Sequence, residues 1–138
     1  MASAGAGGGS IRIPASASGL FGLKPSRGLG PLAPEGDPWL GLVTRHVLTR
    51  SVRDSAAILD ATSGVFPGSL YAQPRRPRSY LTRLERAPRR LTGGVSRQSF
   101  LDEPLPPDCV AAVDDAAALL ESRGRRVVEL ALPMQHAE

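Results

Sequence analysis

The chain has 138 residues and a formal net charge of +4 at pH 7, which is the length of one ordinary domain. It is 41% hydrophobic but only 4% aromatic, so small apolar side chains must build most of its core. The sequence has neither a segment of transmembrane length nor the layout of a signal peptide, which predicts a cytoplasmic protein without a membrane partner. Its arginines are scattered, with no aromatic side chains between them to stack on bases, which argues against nucleic-acid binding.

The first segment that could take part in a reaction is a run of three glycines, Gly7, Gly8 and Gly9, followed by Ser10. Glycines accept positive φ and close approach, so successive N–H groups can converge on one point. Such a set of donors stabilises an oxyanion or a bound anion, and a serine beside it is placed to attack a carbonyl held there. Composition alone favours a flexible, disordered tail instead. A phosphate-binding loop is a third interpretation, but no Gly-Lys-Ser/Thr follows the glycines.

The segments that follow alternate short apolar stretches with loops. Ile11 and Ile13 stand on either side of Arg12 and predict a short strand, and the stretch Leu20–Leu23 predicts a second one. Residues 29–38 are rich in glycine and proline, which predicts a loop.

A helix is predicted over residues 51–63. Ser51 is its N-cap and forms a variant capping box with Asp54, while Gly64 fits the position just beyond its end. The spacing of its apolar residues predicts one buried stripe. That stripe consists of Val52, Ala56 and Leu59, with Ile58 alongside.

The last third predicts a helix followed by a strand, which is typical of an α/β fold. The helix covers residues 108–123, with Asp108 as its N-cap and Gly124 at its end. Cys109, the single cysteine, is predicted to pack in the core. The predicted buried stripe of the helix comprises Val110, Val113, Ala117 and Leu120, widened by Ala116 and Leu119. The strand is predicted from the alternation of Val128, Leu130 and Leu132.

Few other side chains point to a reaction centre. His46 and His136 are the only histidines, and a lone histidine is more often structural than a general base. No cluster of His, Cys and Asp has the spacing of metal ligands, so we expect neither a metal nor a cofactor. Residues 64–90 are rich in proline and arginine and predict a surface excursion.

A continuous register of residues around Ser10 resembles the nucleophile segment of the amidase signature family. A second segment, Leu48–Asp54, resembles another element of that family and follows the first at the expected distance. The resemblance spans residues 7–133 and implies part of the family's α/β fold, in which helices cover a mixed β-sheet. The matching positions of the first segment are Gly7, Gly8, Gly9, Ser10, Ile11, Arg12, Pro14, Ala15, Gly19, Gly22, Leu23, Lys24, Pro25 and Gly28.

The resemblance implies roles for residues of the glycine–serine segment. Ser10 corresponds to the nucleophile that forms the acyl-enzyme, and the backbone N–H groups of residues 7–10 correspond to the oxyanion hole. Arg12 corresponds to an arginine that supports this loop structurally. The family usually has an aspartate before the glycines, where this chain has Ala6.

Amidases of this family use a buried lysine as the base, which acts through a bridging serine. Both of those residues precede the nucleophile in the family. Lys24, the only lysine here, matches a separate, non-catalytic position. We therefore expect residues 1–138 to form a partial amidase domain, with a nucleophile loop over 5–28, the excursion over 64–90 and a helix–strand unit over 107–132.

Two functions follow from these expectations. The first is hydrolysis of carbon–nitrogen amide bonds in a small-molecule substrate, with the lysine and the bridging serine supplied by a complementing chain or by an upstream segment. The alternative is a catalytically inactive relic that serves as a binding or structural fragment. Within the family, the segment resembles general amidases and aminohexanoate cyclic-dimer hydrolases more than tRNA amidotransferase A subunits.

Overall fold

The computed structural model describes residues 1–34, 36, 38–67, 69–71, 73, 79–99 and 103–131. Its contacts form two compact units, Met1–Arg86 and Ala87–Glu138. Helices and strands are mixed in both units, as expected for an α/β protein. The elements are β1 (Ala2–Ala6), α1 (Arg12–Ala17), β2 (Phe21–Gly22), a short turn (Pro38–Gly41), β3 (Thr44–Thr49), α2 (Val52–Thr62), α3 (Tyr80–Arg83), β4 (Thr92–Val95), α4 (Pro107–Ser122) and β5 (Arg126–Glu129).

Strand β3 is the middle strand of an antiparallel, three-stranded sheet in the first unit. β1 pairs with it from Ala2 opposite Leu48 to Ala6 opposite Thr44. β2 pairs with it at Phe21, opposite Thr49, and at the next residue. The sequence did not predict β1 or β3 as strands. The buried apolar side chains around this sheet are Ala6, Ile11, Ala15, Leu48, Ala56 and Leu59.

Helix α2 agrees closely with the sequence prediction. Ser51 is the N-cap, and its hydroxyl accepts a hydrogen bond of 3.1 Å from the backbone N–H of Asp54. Ala56 and Leu59 are buried as predicted, but Val52, in the first turn, is half exposed. A first-turn residue lies at the end of the helix, where the sheet covers it least.

The carboxylate of Asp60 connects α2 to the short helix α3, which the sequence did not predict. It accepts hydrogen bonds from the backbone N–H groups of Tyr80 (2.7 Å) and Leu81 (3.0 Å). Burial acts to raise the pKa of Asp60, but these two N–H groups and the Ser79 hydroxyl outweigh it and lower the pKa. The Ser79 hydroxyl also caps α3 by accepting the backbone N–H of Thr82. The predicted excursion over 64–90 therefore contains a helical turn, while residues 74–78 lie outside the described residues.

The second unit contains a parallel pair of strands, β4 and β5, with helix α4 between them in the chain. The register runs from Thr92 opposite Arg126 to Val95 opposite Glu129. Arg97 joins the strands to the helix, because its guanidinium donates to Asp114 (2.7 Å) and to Glu129 (3.2 Å). This group of charges is exposed to solvent and adds little to the stability of the unit.

Helix α4 departs from the sequence prediction at its start. Its N-cap is Pro106 rather than Asp108, which lies in the first turn. Proline is suited to the first helical position, because it has no N–H group to leave unpaired, so the helix begins one residue early at Pro107. Cys109 is exposed on this helix, which corrects the prediction that it packs in the core. Gly124 follows the helix with φ of 72°, as predicted for its end.

The predicted apolar stripe of α4 is only partly covered. Val110, Val113 and Ala117 are half-buried, whereas Ala116, Leu119 and Leu120 are exposed. A two-stranded sheet is too narrow to cover the whole apolar face of the helix. β5 ends at Glu129, so Leu130 lies beyond it, and Leu132 and His136 lie outside the described residues. Among the described residues, no helix combines the length and the apolar character needed to cross a membrane.

His46 is a buried titratable group in the central strand β3. Its Nε2 lies 2.8 Å from the hydroxyl of Ser55 on α2, and no described residue pairs with its Nδ1. Burial lowers the pKa of His46 below its ordinary value of 6.5. Protonation would place a second N–H donor where no described group accepts it, so the folded chain holds the neutral imidazole.

We expect the folded chain to lose stability as the pH falls below 6.5. The unfolded chain binds a proton on His46 at a higher pH than the folded chain does, so acidification favours unfolding. Replacing His46 by glutamine should flatten this dependence between about pH 5 and 8. Asp60 titrates at lower pH, because its pKa lies below 3.8, and does not interfere.

Urea unfolding at several pH values measures this effect. His136→Gln is the matched control, since it removes the other histidine. The assignment to His46 would be contradicted if His136→Gln flattened the pH dependence of stability equally. It would also be contradicted if the stability of the original chain were constant over this pH range.

Candidate active site

The glycine–serine segment connects the end of β1 to the start of α1. Ala6, the last residue of β1, is buried and lies opposite Thr44 of β3. Ile11, just after the serine, is fully buried and is the N-cap of α1. Ser10 itself is exposed. The serine therefore lies on the surface of a short connection whose two ends are both fixed in the core.

Residues 11–13 do not form the predicted strand. The chain turns into helix α1, and the N–H of Ile13 donates to the carbonyl of Gly9 at 2.9 Å. In a strand, Ile11 and Ile13 would share one face, but Ile11 is fully buried while Ile13 is 69% exposed. Pro14 lies in the first turn of α1, where a missing N–H group costs no helical hydrogen bond. The β-branched side chains of Ile11 and Ile13 predicted a strand, but the chain forms a helical turn in which only Ile11 is buried.

The backbone N–H groups of the segment are available as donors. Among the described residues, none accepts a hydrogen bond from the N–H of Gly8, Gly9 or Ser10. The hydroxyl of Ser10 likewise makes no hydrogen bond to another described residue. The segment thus combines an exposed hydroxyl with adjacent unpaired donors, and an anion or a polarised carbonyl oxygen is the type of group such donors bind.

Two close contacts hold the segment in place. A Cβ at Gly7 would lie 2.6 Å from the ring of Trp39, so the indole packs directly against the glycine backbone. A Cβ at Gly22 of β2 would lie 2.6 Å from the Cβ of Ala15 and 3.0 Å from the carbonyl oxygen of Ile11. This second approach fastens α1 to β2, so it fixes the end of the segment that follows Ser10.

Trp39 belongs to this region, although no motif of the sequence indicated it. Trp39 and Leu40 have φ of 56° and 53°, a conformation that costs about 1–2 kcal/mol per residue for a side chain with a Cβ. Both side chains are largely exposed, at 69% and 89%. The indole therefore contacts the glycine segment at the surface rather than packing in the core. The only available sequence signal was that the single tryptophan follows the loop rich in glycine and proline.

The side chains of the other two candidate residues make few polar contacts in the described part of the chain. Arg12 is the exposed first residue of α1 and has no polar partner among the described residues, so its role in supporting the loop stays a prediction. The ammonium of Lys24 donates to the carbonyl of its neighbour Pro25 at 2.7 Å. Within the described part of the chain, no three residues of the types His, Cys, Asp and Glu are grouped to hold a metal ion.

Comparison with known proteins gives the same family over nearly the whole chain. The Amidase family model matches residues 1–137. The chain is 42% identical over 123 residues to the 6-aminohexanoate-cyclic-dimer hydrolases of Pseudomonas sp. (strain NK87) and Paenarthrobacter ureafaciens, covering 86% of this chain and 25% of each relative. It is 40% identical over 126 residues to the putative amidase AmiB2 of Mycobacterium tuberculosis, covering 88% of this chain and 25% of that relative. The chain thus spans about a quarter of the length of the curated relatives it matches.

Solved structures show the same fold. A 6-aminohexanoate cyclic dimer hydrolase complexed with substrate superposes with a TM-score of 0.85 at 35% identity, over 93% of this chain and 27% of that one. A bacterial aryl acylamidase of the amidase signature family has a TM-score of 0.77 at 24% identity, which supports the fold alone. The mixed helices and strands described above are therefore part of an amidase signature fold.

We expect Gly22→Ala to destabilise the first unit by about 1–3 kcal/mol, because the added methyl group would crowd the Cβ of Ala15 in α1 and the carbonyl oxygen of Ile11, the N-cap of that helix. One of those atoms is the Ile11 carbonyl oxygen, and backbone cannot rotate away as the end of a side chain can. Gly64→Ala is the matched control, since a Cβ there meets nothing within 4 Å. Urea unfolding of both variants measures the difference, and equal effects would show that the contact between α1 and β2 is not tight.

Proposed function

Because the chain belongs to the amidase family, we propose that it carries the serine nucleophile of an enzyme that hydrolyses carbon–nitrogen amide bonds. The supporting observation is the exposed hydroxyl of Ser10 beside unpaired backbone N–H groups. An attacking hydroxyl and the donors for the resulting oxyanion must lie within a few ångströms of each other. A connection of four residues, with both ends fixed in the core, meets that requirement.

In the proposed reaction, the Ser10 Oγ attacks the amide carbon and gives its proton to a base. The N–H groups of Gly7, Gly8, Gly9 and Ser10 stabilise the negative charge that develops on the former carbonyl oxygen. Each such donor contributes about 3 kcal/mol to lowering the barrier. The carbon–nitrogen bond then breaks, the amine leaves with a proton, and water hydrolyses the ester on Ser10.

We propose that the general base is not one of the described residues around Ser10. A hydroxyl is a weak nucleophile unless a base takes its proton, and Ser10 has no hydrogen-bond partner among the described residues. Lys24 is the only lysine of the sequence, and its ammonium is directed at the Pro25 carbonyl. The proposal therefore requires a lysine and a bridging serine from a complementing chain or segment.

The proposed substrate is a small-molecule amide. Relatives at 42% identity are named for hydrolysis of the 6-aminohexanoate cyclic dimer, a compound held together by amide bonds. The class of substrate follows from this similarity, whereas the residues that would select one amide over another belong largely to the rest of an amidase. Arg12 is proposed to support the loop by fixing the start of α1.

Labelling with a fluorophosphonate probe tests the proposed role of Ser10. We expect little labelling of the chain alone, because none of the described residues forms a hydrogen bond to the Ser10 hydroxyl through which a base could act. Labelling should appear when the chain is mixed with the lysine- and serine-bearing segment of a similar amidase, and Ser10→Ala should reduce it to background. Ser16→Ala, which removes another exposed serine, is the matched control and should leave labelling unchanged.

Three outcomes would change the proposal. Labelling that persists in Ser10→Ala would assign the nucleophile elsewhere. Strong labelling of the chain alone, lost in Ser10→Ala, would keep the nucleophile and overturn the need for a complementing base. No labelling in the mixture would favour the inactive alternative, in which the chain keeps the fold without the reaction.

A further inference from the structure

A cavity of about 350 Å³ lies in the first unit, and neither Ser10 nor the three glycines before it are among the described residues that line it. Its wall includes Arg27, Val43, Thr44 and Tyr71, and its volume lies in the range of small-molecule sites. We propose that this cavity binds a small organic carboxylate with an apolar tail. The inference goes beyond the proposed function, because binding in the cavity requires no reaction at Ser10.

Arg27 supplies the charge that would recognise the carboxylate. Its guanidinium carbon lies 5.2 Å from the centre of the Tyr71 ring, so the cation is stacked on the aromatic face. No carboxylate among the described residues pairs with Arg27. Stacking occupies the flat face of a guanidinium and leaves its N–H edge free, and that edge matches the two oxygens of a carboxylate.

The backbone of this region builds a fixed place for Tyr71. Gly28 and Gly41 have φ of 72° and 83°, and a Cβ at either would lie 2.8 Å from an atom of Tyr71. The tyrosine thus contacts two stretches of bare backbone at once. The carbonyl of Arg27 also accepts a hydrogen bond of 2.7 Å from the side chain of Gln73. The stacked pair is therefore held before any ligand arrives, which lowers the entropy cost of binding.

The cavity lining has polar groups for the carboxylate end of the ligand and apolar side chains for its tail. Thr44 is 6% exposed, and its hydroxyl has no hydrogen-bond partner among the described residues. A buried hydroxyl without a hydrogen-bond partner is unfavourable, so a ligand with a second polar atom near Thr44 would gain a hydrogen bond there. Leu32, Val43 and Phe66 provide apolar wall for the tail.

Binding of octanoate, octylamine and octanol to the full chain tests the proposal by isothermal titration calorimetry. These probes share one tail and differ in the charge of the head group. We expect octanoate to bind about tenfold more tightly than octanol, the usual effect of one charge-assisted hydrogen bond, and octylamine to bind more weakly than either. Arg27→Gln should remove the preference for octanoate, and Arg27→Lys should keep part of it.

Arg53→Gln is the matched control, because Arg53 is an exposed arginine of α2 that does not line the cavity. It should leave the preference unchanged, and so should Ser10→Ala, which separates this site from the proposed nucleophile. Thr44→Val should weaken octanoate binding while keeping the shape of the wall. If Arg27→Gln fails to fold, the order of the three probes in the original chain and in Arg27→Lys decides the question.

Several results would overturn the proposal. Equal binding of octanoate and octanol would show that the cavity recognises only the tail. An equal loss in Arg53→Gln and Arg27→Gln would show attraction by the net positive charge rather than a site. The absence of binding by any probe would show that the cavity does not take a ligand of this class.

Discussion

The pairing of β1 and β2 on either side of β3 is the constraint on which the first unit depends. β1 is made of alanine, serine and glycine, and β2 has only two residues, so neither has a strong intrinsic preference for a strand. Both take their conformation from β3, which is largely buried and connected to α2 by the hydrogen bond between His46 and Ser55. Because β1 leads into the glycine–serine segment and β2 contacts the helix that follows it, the position of Ser10 depends on a strand more than thirty residues away in the sequence.

This dependence makes β3 the point at which stability and the proposed reaction are connected. A change that weakens the pairing of β3 with β1 and β2 also weakens the contacts that fix both ends of the segment that carries Ser10. His46 is a titratable group in that strand and is held neutral by burial. Residues that would not touch a substrate can therefore change the position of the proposed nucleophile, and small displacements of reacting groups are costly in catalysis.

The parts of the fold that were predictable from the sequence are those governed by local interactions. The N-cap of α2 needs only Ser51 and Asp54, which lie three residues apart, and the end of α4 needs only Gly124. In contrast, β1 forms because a distant strand pairs with it, and its composition resembles that of a flexible tail. The prediction of a strand around Ile11 was wrong for the same reason. The β-branched residues favour a strand locally, but the chain turns into α1 there and buries Ile11. Cys109 and the leucines of α4 were predicted as core because a helix pattern identifies an apolar face but not what covers it.

The same distinction between local and distant interactions applies to the chemistry. The proposed nucleophile and oxyanion donors come from four consecutive residues, so a short motif contains both of them and the sequence alone can indicate them. In the proposed reaction a general base must approach Ser10 from another part of the fold, and no short motif around Ser10 identifies it. The anion-binding character proposed for the cavity is also non-local, because Arg27, Thr44 and Tyr71 meet there only after β3 and the loops have folded. The motif around Ser10 therefore indicates where the proposed acylation would take place, whereas activation of the serine and the choice of ligand would depend on the assembled fold.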